Sequence, residues 1–287
     1  MILGYNTNGF AHHRLNDAVD ILADIGYGSV ALTLDVHHLD PFDDQWAETA
    51  DALRDRCQRR GLRITIETGA RFLLDSRQKH QPTLISPDAD GRRRRIDFLK
   101  RAIEIAGRLQ ADSVSLWSGA ATDDVDDDVL FERLCTGLRS VLEHADRHDM
   151  RLAFEPEPGM YVETMPQFDR LGDSIDHPLF GLTLDIGHVH CLGDGELSDH
   201  LDKHAAHLFN VHLEDMRRGL HDHLMFGEGE IDFERVIDAF LAIDYRGPLH
   251  VELSRHSHDA VATARRASEF LRATLNAHRR ENSQPTR

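Results

Sequence analysis

Cysteine and lysine are scarce in this sequence, and an excess of positive charge is missing. The three cysteines, Cys57, Cys135 and Cys191, are odd in number, far apart and never in a Cys-x-x-Cys pair. That argues against a disulfide framework or a thiolate metal cluster and suits reduced thiols in the cytoplasm. No apolar run approaches the ~20 residues of a membrane-spanning helix. The opening Met1-Ile-Leu-Gly-Tyr-Asn lacks the basic region and long apolar core of a secretory signal. Lys and Arg total 33 against 50 Asp and Glu, a formal charge of -17 that repels a phosphate backbone. The expectation is a cytoplasmic protein with neither a membrane nor a nucleic-acid partner.

What is present fits one large α/β unit. The 287 residues, 40% of them hydrophobic, match the size of a single (β/α)8 barrel with a full core. Short apolar runs alternate with stretches of helical spacing. Strands are expected at 2–6, 29–34, 62–66, 113–117, 151–155, 181–185, 208–212 and 249–253, each followed by a helix. Leu15 to Ile25, with apolar residues at 15, 18, 19, 22 and 25 and Gly26 beyond, is the clearest helix. Eight such units predict a closed parallel barrel spanning 1–278, with long loops at 70–91 and 213–231 and a polar tail at 279–287. No Gly-x-Gly-x-x-Gly follows the first strand, which removes the main support for an open doubly wound sheet.

Four of the late strands end in residues able to hold a metal. They are Arg151-Leu-Ala-Phe-Glu155, Gly181-Leu-Thr-Leu-Asp185, Leu208-Phe-Asn-Val-His212 and Leu249-His-Val-Glu252. In a barrel these ends converge on one face, so Glu155, Asp185, His212 and Glu252 are expected to form one oxygen-rich site. Such a set suits one divalent ion, Mn²⁺ or Mg²⁺ first, with Co²⁺, Fe²⁺ or Zn²⁺ tolerable. Each residue alone has an ordinary reading, a salt bridge at the barrel mouth or a satisfied core histidine. Four together do not.

The stretch Leu182-Thr-Leu-Asp185-Ile-Gly-His188 resembles the Asp-x-x-His signature of the sugar-phosphate isomerase/epimerase family, the xylose isomerase-like TIM barrels. Asn210-Val-His212-Leu-Glu-Asp215, Gly227-Glu-Gly-Glu-Ile-Asp-Phe233 and Tyr245-Arg-Gly-Pro-Leu-His-Val-Glu252 resemble the last third of the same family. The resemblance implies that Glu155, Asp185, His212 and Glu252 bind one divalent ion and that the two glutamates move protons. It also implies substrate contacts at His188 and at Arg218 (less securely Arg217), and it admits a homo-oligomer. The expected substrate is a small carbohydrate-like molecule.

Other candidates carry two readings each. His223, in His221-Asp222-His223, is expected to contact substrate or anchor its loop, with His221 weaker. A second metal site there, as in related apurinic endonucleases, is poorly supplied, because Glu67 and Trp117 stand where those enzymes use histidines. Trp117 reads as a wall against a sugar ring or as core. Glu67, and less strongly Asn6, read as partners of a substrate hydroxyl or as structural polar groups. Lys79 reads as a recognition group for an anion or as a solvated loop lysine. The expected activity is metal-dependent isomerisation or epimerisation beside a carbonyl. A lyase or dehydratase on a keto-sugar or inosose is the nearest rival, ahead of an endonuclease-type phosphodiesterase and a non-catalytic binding protein.

Overall fold

A computed structural model gives the architecture and describes residues 1–281. Eight strands close into a parallel barrel: β1 (Ile2–Asn6), β2 (Ser29–Thr33), β3 (Arg63–Glu67), β4 (Val114–Leu116), β5 (Leu152–Phe154), β6 (Phe180–Asp185), β7 (Leu208–Leu213) and, after a short hairpin, β10 (Pro248–Val251). Around the ring the order is β1-β10-β7-β6-β5-β4-β3-β2, with β2 closing on β1. The expected (β/α)8 barrel is therefore the observed one. Nine helices stand among the described residues: α1 (Leu15–Ile25), α2 (Trp46–Arg60), α3 (Ala89–Leu109), α4 (Asp127–His148), α5 (Met165–Ile175), α6 (Ile186–Leu192), α7 (Leu197–His204), α8 (Phe233–Ala242) and α9 (Ala260–Glu281). None is long and apolar enough to cross a membrane.

The helices form where apolar residues recur on one face. In α1, Leu15, Ala18, Val19 and Leu22 are buried, and Gly26 ends the helix at φ 99° with its N–H on the carbonyls of Leu22 and Ala23. The barrel interior is more polar than a run of branched residues suggests. Ser115 and Thr183 meet at 3.0 Å, and His250 joins Ser29 (2.8 Å) to Asn210 (2.8 Å). Gly4 makes room for that histidine: a Cβ there would stand 2.3 Å from His250 Cδ2. Burial holds the His250 imidazole down at about 3, so it is neutral.

Four local details differ from the expectation. The long connection after β3 ends early, because Asp88 caps α3 by accepting from Gly91 N, so the loop stops at 88 rather than 91. Asp185 likewise caps an unexpected helix, α6, through His188 N at 2.9 Å. The stretch 213–231 holds an antiparallel hairpin, β8 (Asp215–Arg217) and β9 (Leu220–Leu224). Helix α9 runs through Glu281, into the stretch expected as a tail; the rest of that expected tail, 282–287, lies outside the described residues.

The hairpin is fixed by one buried side chain. Asp215 accepts from the backbone N–H groups of Met216 (2.9 Å), Gly227 (2.8 Å), Gly229 (2.9 Å) and Ile231 (3.1 Å). Substituting Asp215→Ala strands four donors and is expected to destabilise the fold by about 2–4 kcal/mol. Urea unfolding measures this, and a change under about 1 kcal/mol would contradict the anchor.

Candidate active site

The carboxyl ends of β3, β5, β6, β7 and β10 meet around His212. Glu155 directly follows β5, Asp185 ends β6, His212 lies near the end of β7 and Glu252 directly follows β10. These four strands are consecutive around the barrel, and Asp185 pairs in register with His212. His212 Nδ1 stands 3.1 Å from Glu155 Oε1, 3.0 Å from Glu252 Oε2 and 3.9 Å from Asp185 Oδ2. One ligand atom from each of the four lies within 4.8 Å of the others.

The opposite ring nitrogen is also held. His212 Nε2 is 3.0 Å from Glu67 Oε1, the same oxygen that accepts from Asn210 Nδ2 at 3.0 Å. A carboxylate on Nε2 fixes the ring and leaves Nδ1 for the centre of the cluster, as in carboxylate–histidine–metal arrangements. Glu67 is thus placed beneath His212 at the edge of the cavity.

The donor set fits a hard divalent cation. Asp185 is 2% exposed, and its Oδ2, facing the cluster, has no hydrogen-bond partner among the described residues. A buried carboxylate oxygen without a donor is costly unless a cation meets it. Without one, protons occupy the site. Burial opposes charge on His212, but Glu155, Glu67 and Glu252 outweigh that and lift it well above the imidazole range. Burial pushes Glu155 up to about 8. For Glu252, burial is outweighed by His212, His223 and His188, which hold it below the usual carboxylate range.

A cavity of about 660 Å³ opens above this floor. Asn6, Glu67, Lys79, Trp117, His188 and His223 line it as well as Glu155, His212 and Glu252. Asn6 is tied up structurally, its Oδ1 accepting from Asn8 N and Thr33 Oγ1. His188 Nδ1 lies 3.1 Å from the Pro156 carbonyl, and its Nε2 lies 3.1 Å from His221 Nε2. His188, His221 and His223 form a second close group of ligand-type atoms, so His221 belongs with the other two. Arg218 is not brought to the cavity. It is exposed in the hairpin turn, its guanidinium beside Gly193 and its N–H on Glu230 Oε2 at 3.0 Å. Arg217 is exposed too and donates to the Glu228 carbonyl.

Sequence reasoning missed Asn8 and Glu157. Asn8 Nδ2 donates to Glu252 Oε1 at 2.6 Å, across 244 residues of chain. Glu157 lines the cavity, and burial followed by the charge of Glu252 raises it to about 7. The Glu155-Pro-Glu157 spacing, two acids just past one strand end, was the available signal. Glu214, between the ligand strand and the hairpin, was missed as well. It is fully buried, accepts from Gly187 N at 3.1 Å, and is held well above the carboxylate range by burial and Asp185.

Residues 19–274 match the family model of the xylose isomerase-like TIM barrel, and the chain belongs to that family. It is 30% identical to 3-dehydroshikimate dehydratase of Pseudomonas putida over 67% of this chain and 32% of that protein. It is 25% identical to L-ribulose-5-phosphate 3-epimerase UlaE of Shigella flexneri over 77% of this chain and 78% of that one. Inosose dehydratase of Lactiplantibacillus plantarum is 29% identical, the match covering 42% of this chain and 46% of the relative. The aligned region thus spans less than half the length of two of these three curated relatives. The fold is shared with an L-ribulose 3-epimerase structure (TM-score 0.78, 19% identity, 100% and 99% coverage). It is shared also with the IOLI protein solved with a zinc atom (TM-score 0.77, 17% identity, 96% and 99% coverage).

Two measurements check the centre. Because His212 is raised above 6.5 and Glu155 to about 8, a cation entering the cluster displaces protons held there. Affinity for Mn²⁺ or Zn²⁺ is therefore expected to strengthen as pH rises from 6 to 8, with proton release visible by calorimetry in buffers of different ionisation enthalpy. An affinity flat with pH would contradict the assignment. Separately, Glu67→Gln is expected to weaken cation binding about 10–100-fold in a folded protein. Unchanged binding would free Glu67 from its role on Nε2.

Proposed function

We propose that this chain is a divalent-cation-dependent isomerase or epimerase of a small polyhydroxy carbonyl compound, with Mn²⁺ as the resident ion. The observation that carries the reading is the pair of carboxylates, Glu155 and Glu252, at the two ends of the β5-β6-β7-β10 arc and both against His212 Nδ1. Epimerase and dehydratase relatives, and the bound zinc of the IOLI structure, support it.

Glu155, Asp185, His212 and Glu252 would hold the ion. Bound there, it supplies a Lewis acid that steadies the charge developed on a carbonyl when the neighbouring proton leaves. Glu155 and Glu252 face the cluster from opposite ends of the arc, so one can act as base and the other as acid on a carbon held between them. One takes the proton and the other returns it, and the roles exchange when the reaction runs backwards. Asn8, hydrogen-bonded to Glu252, aims that carboxylate. Trp117 and His188 line the space for the substrate's carbon skeleton.

The dehydratase relatives favour a second reading, in which the same proton abstraction expels a β-hydroxyl as water. Screening ketoses, inososes and 3-keto-glycosides with Mn²⁺ separates the two. Deuterium uptake from solvent without loss of water marks an epimerase or isomerase, and loss of water marks the lyase. In either case Glu155→Gln and Glu252→Gln are expected to lower turnover about 10²–10⁴-fold while the fold is kept. Wild-type turnover in either variant would remove that carboxylate from the pair.

A further inference from the structure

The acids and the cations lining the cavity come from different positions along the chain. Its acids, Glu67, Glu155, Glu157 and Glu252, all sit at or within three residues of the ends of β3, β5 and β10. Its cations, Arg71, Lys79 and Arg255, come from the connections after β3 and β10. Arg255 is paired with Asp222. Arg71 and Lys79 have no carboxylate partner among the described residues, and Arg71 donates only weakly, to the Asn8 carbonyl at 3.4 Å.

Acids outnumber Lys and Arg by 50 to 33, yet neither of these two cavity-lining cations meets one. Two cations lining one cavity without a carboxylate in contact are free to meet an anionic group of a ligand.

The segment that carries them is held in place. His80 N donates to the Arg71 carbonyl at 2.6 Å, so Arg71 and the Lys79-His80 pair are neighbours across a closed loop. The His80 ring meets the Gly69 carbonyl through Nδ1 at 2.6 Å and packs edge-on against Trp117, centroids 5.4 Å apart. Trp117 in turn lies against the guanidinium of Arg95, 4.7 Å from the ring centroid, and Arg95 is only 2% exposed. A buried cation, an indole and an imidazole thus pin the loop to the barrel.

We propose that the substrate carries an anionic group, a phosphate or a carboxylate, at the end away from the carboxylate floor, and that Arg71 and Lys79 bind it. This rests on the reading of the site as one for a polyhydroxy carbonyl compound. The neutral, hydroxyl-rich part would lie over Glu155 and Glu252, with the charged end under the 70–88 connection. Arg71 supplies a planar fork suited to either oxyanion and Lys79 a mobile point charge.

Of the two tryptophans, only Trp117 lines the cavity, so a Trp46→Phe background makes its fluorescence the reporter. Titrations with D-ribulose 5-phosphate, D-ribonate and D-ribulose compare a phosphate, a carboxylate and a neutral probe. At least one anionic probe is expected to bind tenfold or more tighter than D-ribulose and to weaken as salt rises; which one does so tells phosphate from carboxylate. Arg71→Gln with Lys79→Gln should erase that preference, whereas Arg71→Lys with Lys79→Arg should keep most of it. Equal binding of neutral and anionic probes, or a preference that survives the double Gln variant, would overturn the proposal. Solvent exchange on neutral ketoses alone would also overturn it and leave the epimerase reading standing. Anionic binding with no turnover of any carbonyl substrate would do the reverse.

Discussion

The position of one imidazole nitrogen governs the chemistry of this barrel. His212 Nδ1 lies about equally far from Glu155 and Glu252, with Asp185 behind, while Glu67 holds the far side of the ring. Four carboxylates crowded on one buried histidine would repel one another strongly without positive charge among them. A proton on the imidazole can supply part of that charge. A divalent ion would supply more, and would also meet the Asp185 oxygen that makes no hydrogen bond among the described residues and has His188 Nε2 nearby, at 3.4 Å. The placing of Glu155 and Glu252, the cavity above them and the order of the strands all take their meaning from that centre.

The fold delivers this geometry through register. Parallel strands place consecutive ends side by side, and Asp185 faces His212 across the β6–β7 pair. The layer beneath is polar for a reason. His250, also in register with His212, passes the hydrogen-bond chain from Ser29 through Asn210 to Glu67, so the ring of His212 is braced from three strands. Gly4 is small because His250 occupies its space. A purely aliphatic interior would pack as well but would leave the His212 ring free to rotate.

The barrel, and the strand-end positions of Glu155, Asp185, His212 and Glu252, were legible in the sequence because each rests on local pattern. Strand ends are marked by apolar runs that stop, and the four candidate residues stand where they stop. Contacts made across the chain left no such mark. Asn8 reaches Glu252 over 244 residues, and no spacing announces it. The hairpin at 215–224 was read as loop because its second strand, Leu220-His-Asp-His-Leu224, is half-exposed and polar, and because Asp215 stabilises it through backbone donors far along the chain. That same hairpin explains why Arg218 stands apart from the cavity: its turn packs toward the end of α6 beside Gly193. Lys79 stands out in the sequence as one of three lysines; Arg71 joins it only through the closed loop.

The most direct test of the central claim is anomalous diffraction from crystals grown with Mn²⁺. A single strong peak is expected within about 2.0–2.4 Å of one oxygen each of Glu155, Asp185 and Glu252 and of His212 Nδ1, with Nε2 still on Glu67. A peak held only by His188, His221 and His223, or His212 turned to present Nε2, would contradict it.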